Sequence, residues 1–232
     1  MSMRYAVYYA PTPGTPWADF GARWLGRDSD SGRDCDPPDL LHVTPVLWDR
    51  AVSAPRVYGF HGTLKPPFRL RRESSETAFF AAIETLASRT PPVTLGKLRI
   101  AELGGFIALV PEQAAGVSAL AAHCVEQLDD FRTPPSPGAL ARRRAGGLTP
   151  SQDLLLRRWG YPYVMEEFRF HLTLTGRLDK EARASFHREL ADRTAALTDR
   201  TARIADLAIF VQTEPGAPFL VKQRFPLTAA AK

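Results

Sequence analysis

Two segments of the 232-residue chain, residues 57–64 (VYGFHGTL) and 167–174 (EFRFHLTL), each place a histidine two positions before a threonine. The histidines lie 110 residues apart. Along a β-strand, side chains at i and i+2 share a face. In the first segment one face would carry His61, Thr63 and Lys65, and the other Tyr58, Phe60, Gly62 and Leu64. In the second, Arg169, His171 and Thr173 oppose Phe168, Phe170, Leu172 and Leu174. Each strand would then have one apolar face for a helix layer and one face bearing an imidazole, a hydroxyl and a cation. That set suits a phosphodiester. Its cleavage needs a base for the nucleophile, an acid for the leaving oxygen, and donors for the non-bridging oxygens. Histidine, ordinarily titrating near 6.5, can serve as base or acid. Threonine hydroxyls and a cation can hold the phosphoryl oxygens.

A histidine on a strand is more often a structural residue than a catalyst, and His42-Val43-Thr44 is a third copy of the tripeptide. It is set aside because Pro45 follows at once, no aromatic residue precedes it, and it falls outside an internal repeat. That repeat joins the other two copies. Residues 100–103 (IAEL) match 204–207 (IADL) at a spacing of 104, close to that of the histidines and in the same order. Two matches in order indicate duplicated units. They predict a pseudo-twofold molecule whose halves bring His61, Thr63, His171 and Thr173 to one cleft.

The elements that must position these residues are legible in outline. Residues 4–10 (RYAVYYA) read as a strand stopped by prolines, and 17–25 as a short helix. Residues 28–38 read as a polar loop, and 40–55 are ambiguous. Strands are expected at 57–64, 94–103, 106–110, 167–175, 202–211 and 219–225, with Gly104-Gly105 marking a hairpin. Helices are expected at 75–88, 114–131 and 180–197. A further helix is expected to start at Thr149, where Thr149-Pro150-Ser151-Gln152 has the form of a capping box, and to end at Trp159-Gly160. The proline-rich stretch 133–138 (TPPSPG) is the expected linker, dividing a first lobe of about 1–132 from a second of about 139–232, with strand exchange between them allowed.

Lys65 and Arg169 lie on the predicted cleft faces and are candidate substrate contacts. Arg224 alternates with Lys222 on the last strand, where it could bind a second phosphate or protect a sheet edge. Tyr58 is placed in the core. His123 and His187 lie in helical patterns with no threonine at i+2 and are read as structural or exposed. Cys124, at a helical core position, is read as an inert small hydrophobe. The arginine runs 142–144 and 157–158 are read as solvated helix faces.

Composition bounds the function. Thirty Lys and Arg against 25 Asp and Glu give a net charge of +5. This suits an anionic small molecule and falls short of a nucleic-acid coat, which needs clustered charge. With 44% hydrophobic and 24% charged residues the chain is of ordinary globular composition. No apolar run approaches the roughly 20 residues of a membrane span, and the first residues show no secretory pattern. Two cysteines, Cys35 and Cys124, make neither a zinc knuckle nor a disulfide framework, so a reducing, cytoplasmic setting is expected. The oligomeric state stays open.

Paired H-x-T-hydrophobic motifs, one per half, resemble those of the 2H phosphoesterase superfamily, which includes RNA ligase-like and cyclic nucleotide phosphodiesterases. YGFHGTLKPPFRL, WGYPYV and FRFHLTLTGRL are more closely similar to the 2H-type proteins of phosphonate metabolism. The resemblance runs from RYAVYYAP to FLVKQRFPL. It implies an α+β, LigT-like fold of two pseudo-symmetric lobes. Each lobe would be an antiparallel sheet with helices on its outer face, and the active-site cleft would lie between them. It also implies metal-independent opening of a cyclic phosphodiester, with His61, Thr63, His171 and Thr173 as motif residues. No metal or cofactor is called for. The partner is a small phosphorylated sugar or nucleotide, with nucleic acid less favoured, and the setting is a carbon–phosphorus lyase pathway in which a cyclic ribose phosphate is opened. The alternative within the superfamily is an RNA or nucleotide 2′,3′-cyclic phosphodiesterase or 2′-5′ RNA ligase-like enzyme. Alternatives of other classes are a non-catalytic nucleotide-binding module and a metallohydrolase. The first needs no imidazole pair. The second ordinarily needs three protein ligands, and neither motif has a carboxylate beside its histidine.

Overall fold

The computed structural model describes residues 3–230; Met1 and Ser2, part of the segment read above for a secretory leader, lie outside them. The first strand, β1, is Arg4–Tyr9, followed by helices α1 (Pro16–Leu25) and α2 (Pro45–Tyr58). Then come β2 (Gly62–Phe68), α3 (Glu76–Ser88), β3 (Val93–Leu103), β4 (Phe106–Pro111) and α4 (Ala115–Gln127). The second half holds α5 (Pro137–Arg144), α6 (Pro150–Trp159), β5 (Leu172–Thr173), α7 (Lys180–Thr194), β6 (Thr201–Ile204), β7 (Asp206–Gln212) and β8 (Leu220–Pro226).

Helix starts follow the capping chemistry of the sequence. Thr15, Thr44, Ser75, Ser136, Thr149 and Asp179 each accept a first-turn backbone N–H, and four of these helices begin with proline. The capping box at Thr149 and Gln152 is present in both directions.

The eight strands form one antiparallel sheet in the order β6-β3-β4-β5-β2-β1-β7-β8. The fold is α+β, and its repeat shows in the strand order. The histidine motifs belong to β5 and β2, which pair at the centre of the sheet. The IAEL segment ends β3, and the IADL segment leads into β7; β3 lies two places outward from β5 and β7 two places outward from β2, each flanking the other copy's motif strand. Each half of the sheet draws strands from both copies. The sheet also curls on itself. Residues 201–212 run almost without interruption, yet β6 pairs with β3 on one flank while β7 pairs with β1 toward the other. Only Ala205 separates them.

One face of the sheet is oily. Tyr5, Val7, Leu64, Phe68, Leu172, Leu174 and Leu207 pack with Trp24, Phe79, Ile83, Leu120 and Phe186 of the helices in the main core. On the other face, Ala6, Tyr8, Ala208, Phe210 and Phe219 form a small cluster that borders open space.

Four expectations are corrected. Residues 57–64 are not one strand: α2 continues through Tyr58, and β2 starts at Gly62. The Arg27 guanidinium donates to the Arg56 and Val57 carbonyls at this helix end, and Gly59 turns the chain at φ 77°. Residues 167–175 are mostly irregular, with a 3-10 turn at Met165–Glu167 and only Leu172–Thr173 in strand form. The expected linker ends early, because Ser136 caps and Pro137 opens α5. The strand expected at 202–211 is split at Ala205, where the chain changes partners.

Candidate active site

Gly62 of β2 pairs with Leu172 of β5 in antiparallel register. His61 therefore lies opposite Thr173, and Thr63 opposite His171, all on one face. Opposed residues have Cβ atoms about 4.5–5.5 Å apart and diagonal ones about 7–8 Å, so the two histidines stand diagonally across the pair. The motif residues converge by strand pairing, at the seam where the two half-sheets join. Gly62 is required in this register, since a Cβ there would lie 2.3 Å from the Phe170 ring.

The two imidazoles are held in the same way. His61 Nδ1 lies 2.9 Å from the Gly59 carbonyl, and His171 Nδ1 lies 2.7 Å from that of Arg169. A carbonyl can only accept, so each ring carries its proton on Nδ1 and leaves Nε2 with a lone pair. Thr63 Oγ1 donates toward His61 Nε2 at 3.3 Å. His61 stacks on Tyr8 with ring centroids 3.8 Å apart and planes 24° from parallel; Tyr58 and Phe210 stand 6.2 and 6.1 Å away. Burial among these rings pushes His61 down to about 4, although the Gly59 carbonyl favours its protonated form. His171, beside Phe106 at 5.6 Å, is also lowered by burial. Tyr8 is buried and its phenol is held protonated by that burial.

His61, Thr63 and His171 line a cavity of about 550 Å³, and Thr173 lines an adjoining one of about 300 Å³ that shares His61, Tyr58 and Phe106. The larger cavity is of the size that small-molecule sites occupy. Arg4, Arg143 and Arg169 line it, with Tyr161 and Tyr163 of the WGYPYV segment. Among the described residues, no three His, Cys, Asp or Glu side chains cluster as metal ligands.

Arg169 reaches the cavity wall, its guanidinium anchored on the Glu166 and Phe168 carbonyls. Lys65 does not. Tyr8 pairs with Thr63 but Val7 pairs with Lys65, so a bulge at Leu64 shifts the alternation and turns Lys65 to the core side. There Lys65 is 2% exposed, donates to the Val125 carbonyl at the end of α4, and lies 3.7 Å from Asp129. Its ammonium is pushed down to about 8 by burial, against the opposing pull of Asp129. Arg224 is likewise structural: it ion-pairs with Asp30 and Asp206 and donates to the Ala10 carbonyl. Tyr58, expected in the core, instead ends α2 and lines both cavities. His42 pairs at the surface with Asp192, while Thr44 caps α2. Cys124 is buried, its thiol pushed up to about 12 by burial.

Tyr8, Arg4, Arg143 and Tyr161 were not among the expected site residues. Arg4 and Tyr8 share the Ala6 face of β1, so alternation links them. Nothing local says which face lines the cavity. Arg143 belongs to a run that reads as a solvated helix face, and only its packing over the Tyr161 ring, 4.7 Å from the centroid, gives it a place in the wall.

The chain is similar to two curated proteins named Ribose 1,5-bisphosphate phosphokinase PhnN. The one from Janthinobacterium sp. (strain Marseille) is 36% identical over 230 residues, covering 97% of this chain and 51% of that protein. The one from Laribacter hongkongensis (strain HLHK9) is 39% identical over 224 residues, covering 94% and 50%. The chain thus spans about half the length of the curated relatives it matches. Among solved structures it is similar to E. coli LigT complexed with NADP+, at a TM-score of 0.45 and 16% identity, covering 98% of this chain and 99% of that one. It is similar to Kluyveromyces marxianus Usb1 at a TM-score of 0.36 and 11% identity, covering 97% of each. A family model matches residues 63–220, from the first motif threonine to the start of the last strand. With more than half of its length matched, the chain belongs to the family described as protein of unknown function (DUF1045).

Proposed function

We propose that the protein is a metal-independent phosphodiesterase that opens a small cyclic phosphodiester on ribose by two-histidine general acid–base catalysis. One observation carries the reading. Two imidazoles, each one residue ahead of one of two paired strands and each locked through Nδ1 to a backbone carbonyl, line one cavity with Nε2 left free for proton transfer. A pure binding site has no use for such a pair.

In the proposed reaction His61, the more strongly depressed of the two, stays neutral and accepts a proton from the attacking water. The P–O bond to that water forms as the P–O bond to one ring oxygen breaks. His171, closer to its ordinary range, enters protonated on Nε2 and passes that proton to the departing oxygen. Thr63 and Thr173 donate to the non-bridging oxygens, where charge is greatest in the transition state. The product is a phosphomonoester with a free hydroxyl, and solvent then returns both imidazoles to their starting state.

The relatives' names support a ribose phosphate as the substrate class. Opening a ribose 1,2-cyclic phosphate would yield a ribose phosphate monoester of that kind, as the breakdown of phosphonates requires. The kinase activity in those names is not carried over. This chain covers only half of each relative and has no G-x-x-x-x-G-K-[ST] phosphate loop. A nucleoside 2′,3′-cyclic phosphate is the second reading, favoured by the rings of Tyr58, Phe106, Tyr161 and Tyr163 around the cavity. No helix among the described residues is long and apolar enough to cross a membrane, and both cysteines are free, which supports a reducing cytoplasmic setting.

The test is phosphorus NMR of purified protein with a ribose 1,2-cyclic phosphate or a 2′,3′-cyclic nucleotide, in excess chelator. Ring opening that disappears in His61→Ala supports the reading. No opening of any cyclic phosphodiester, or opening abolished by chelator, overturns it.

A further inference from the structure

The cavity holds more positive charge than the reaction at the histidines uses. Arg4, Arg143 and Arg169 all line it, and none of them has a carboxylate partner among the described residues. Elsewhere several arginines are neutralised by carboxylates: Arg132 by Asp129, Arg144 by Asp153, Arg193 by Glu189 and Arg224 by Asp30 and Asp206. Among the described residues the one carboxylate on the cavity wall, Glu167, accepts a hydrogen bond from Gln152 Nε2.

Arg4 and Arg143 are also held in place. Arg4 donates through Nε to Gln212 at 2.7 Å and lies over the Phe219 ring, which leaves its terminal nitrogens with no protein acceptor among the described residues. Arg143 packs its guanidinium on the Tyr161 ring. A guanidinium fixed on an aromatic face or by Nε alone keeps a donor edge for a planar or tetrahedral anion. Arg4 stands four residues along β1 from Tyr8, the residue stacked on His61, so its backbone is about 13 Å from that level at the usual strand rise. That offset lets a long side chain meet the far end of a sugar phosphate whose cyclic group lies between the histidines.

We propose that Arg4 and Arg143 form a phosphomonoester subsite, so that the substrate is a cyclic phosphodiester carrying a second phosphate at the opposite end of its sugar. This rests on the phosphodiesterase reading and narrows its substrate class. The cyclic phosphate is a monoanion, and Arg169, two residues from His171, is the cation near it. The monoester is a dianion and takes the other two.

Two measurements test this. The first is the ratio of kcat/KM for ribose 1,2-cyclic phosphate with and without a 5-phosphate. The wild type should prefer the 5-phosphorylated compound by about 10–100-fold, chiefly in KM, as expected for charge-assisted hydrogen bonds to one group. Arg4→Gln and Arg143→Gln should each shrink that ratio about tenfold, whereas Arg142→Gln, on the same exposed helix but off the cavity wall, should leave it unchanged. A ratio near one in the wild type, or one unmoved by Arg4→Gln and Arg143→Gln, overturns the subsite. The second measurement does not depend on turnover. Inorganic phosphate titrated into the His61→Ala, His171→Ala double variant should bind, and adding Arg4→Gln and Arg143→Gln should abolish the binding. Absence of phosphate binding to the double variant overturns the subsite. If phosphate binds but no cyclic phosphodiester is opened by the wild type, the subsite stands and the catalytic reading falls.

Discussion

Tyr8 lies flat on His61, with ring centroids 3.8 Å apart, and it does so from the strand that pairs with β2. The stack closes one side of the imidazole to water while the cavity opens the other. Burial of this kind lowers the basicity of His61, and in the proposed reaction it assigns two chemically identical side chains different duties. The difference comes from their walls and not from their hydrogen bonds, because each Nδ1 has the same kind of carbonyl partner.

Replacement of either histidine should therefore be costly in the same degree. His61→Ala and His171→Ala are each expected to lower kcat/KM about 10²–10⁴-fold on a cyclic phosphodiester, the usual range for a general acid or base. Circular dichroism should be unchanged, and His42→Ala, which removes only a surface pair with Asp192, should turn over like the wild type.

The pH profile follows from the two directions. The base must be neutral, so kcat/KM should rise through about 4 with His61. The acid must be protonated, so the rate should fall as pH passes the depressed value of His171, below 6.5. The optimum is thus mildly acidic. Tyr8→Ala should move the acidic limb upward toward 6.5 by letting water reach His61.

The same depression has a signature in stability. His61 binds its proton less readily folded than unfolded, so its contribution is complete above about 6.5 and is lost as pH falls toward 4. Thermal unfolding between pH 7 and 4 should show a smaller acid-induced loss for His61→Phe than for the wild type.

Lys65→Met tests the bulge. The ammonium donates to the Val125 carbonyl inside the fold, and Asp129 keeps Arg132 as a partner once the lysine is gone. Activity should stay within about threefold of wild type while stability falls by about 1–3 kcal/mol, the usual cost of leaving a buried acceptor unsatisfied. A loss of activity as large as that of His61→Ala would place Lys65 in the chemistry after all.

Gly62→Ala probes the seam of the sheet. The added methyl would meet the Phe170 ring at 2.3 Å, in a strand where the backbone itself has no need of glycine. The expected cost is about 1–3 kcal/mol of overpacking, together with a rate loss because the displaced ring lies between the two motif strands. Measuring melting temperature and kcat on the same preparation separates the two effects.

What could be read from the chain was local. The His-x-Thr pairs, the hairpin at Gly104-Gly105 and the capping box at Thr149 each depend on residues within a few positions of one another, and each is present. The assignments that moved were decided at a distance. Lys65 left the cleft face because one extra residue, Leu64, sits between paired positions of β1 and β2, and bulges have no dependable local sign. Tyr58 became part of the cavity because Arg27, thirty residues upstream, caps the helix that ends there. Arg143 reads as one of three adjacent surface arginines until Tyr161 is folded beneath it.

The strand shared between the flanks of the sheet also bears on how the molecule comes into being. β1, which carries Tyr8, is paired on one side by β7, 208 positions later in sequence at the Arg4–Gln212 pair. During synthesis that edge of β1 must wait until β7 has been made, and contacts of such long sequence separation assemble slowly. The seam that bears the two histidines thus matures only once β7 is in place, and a nascent chain stalled before Asp206 would carry both histidines without the strand that completes their wall.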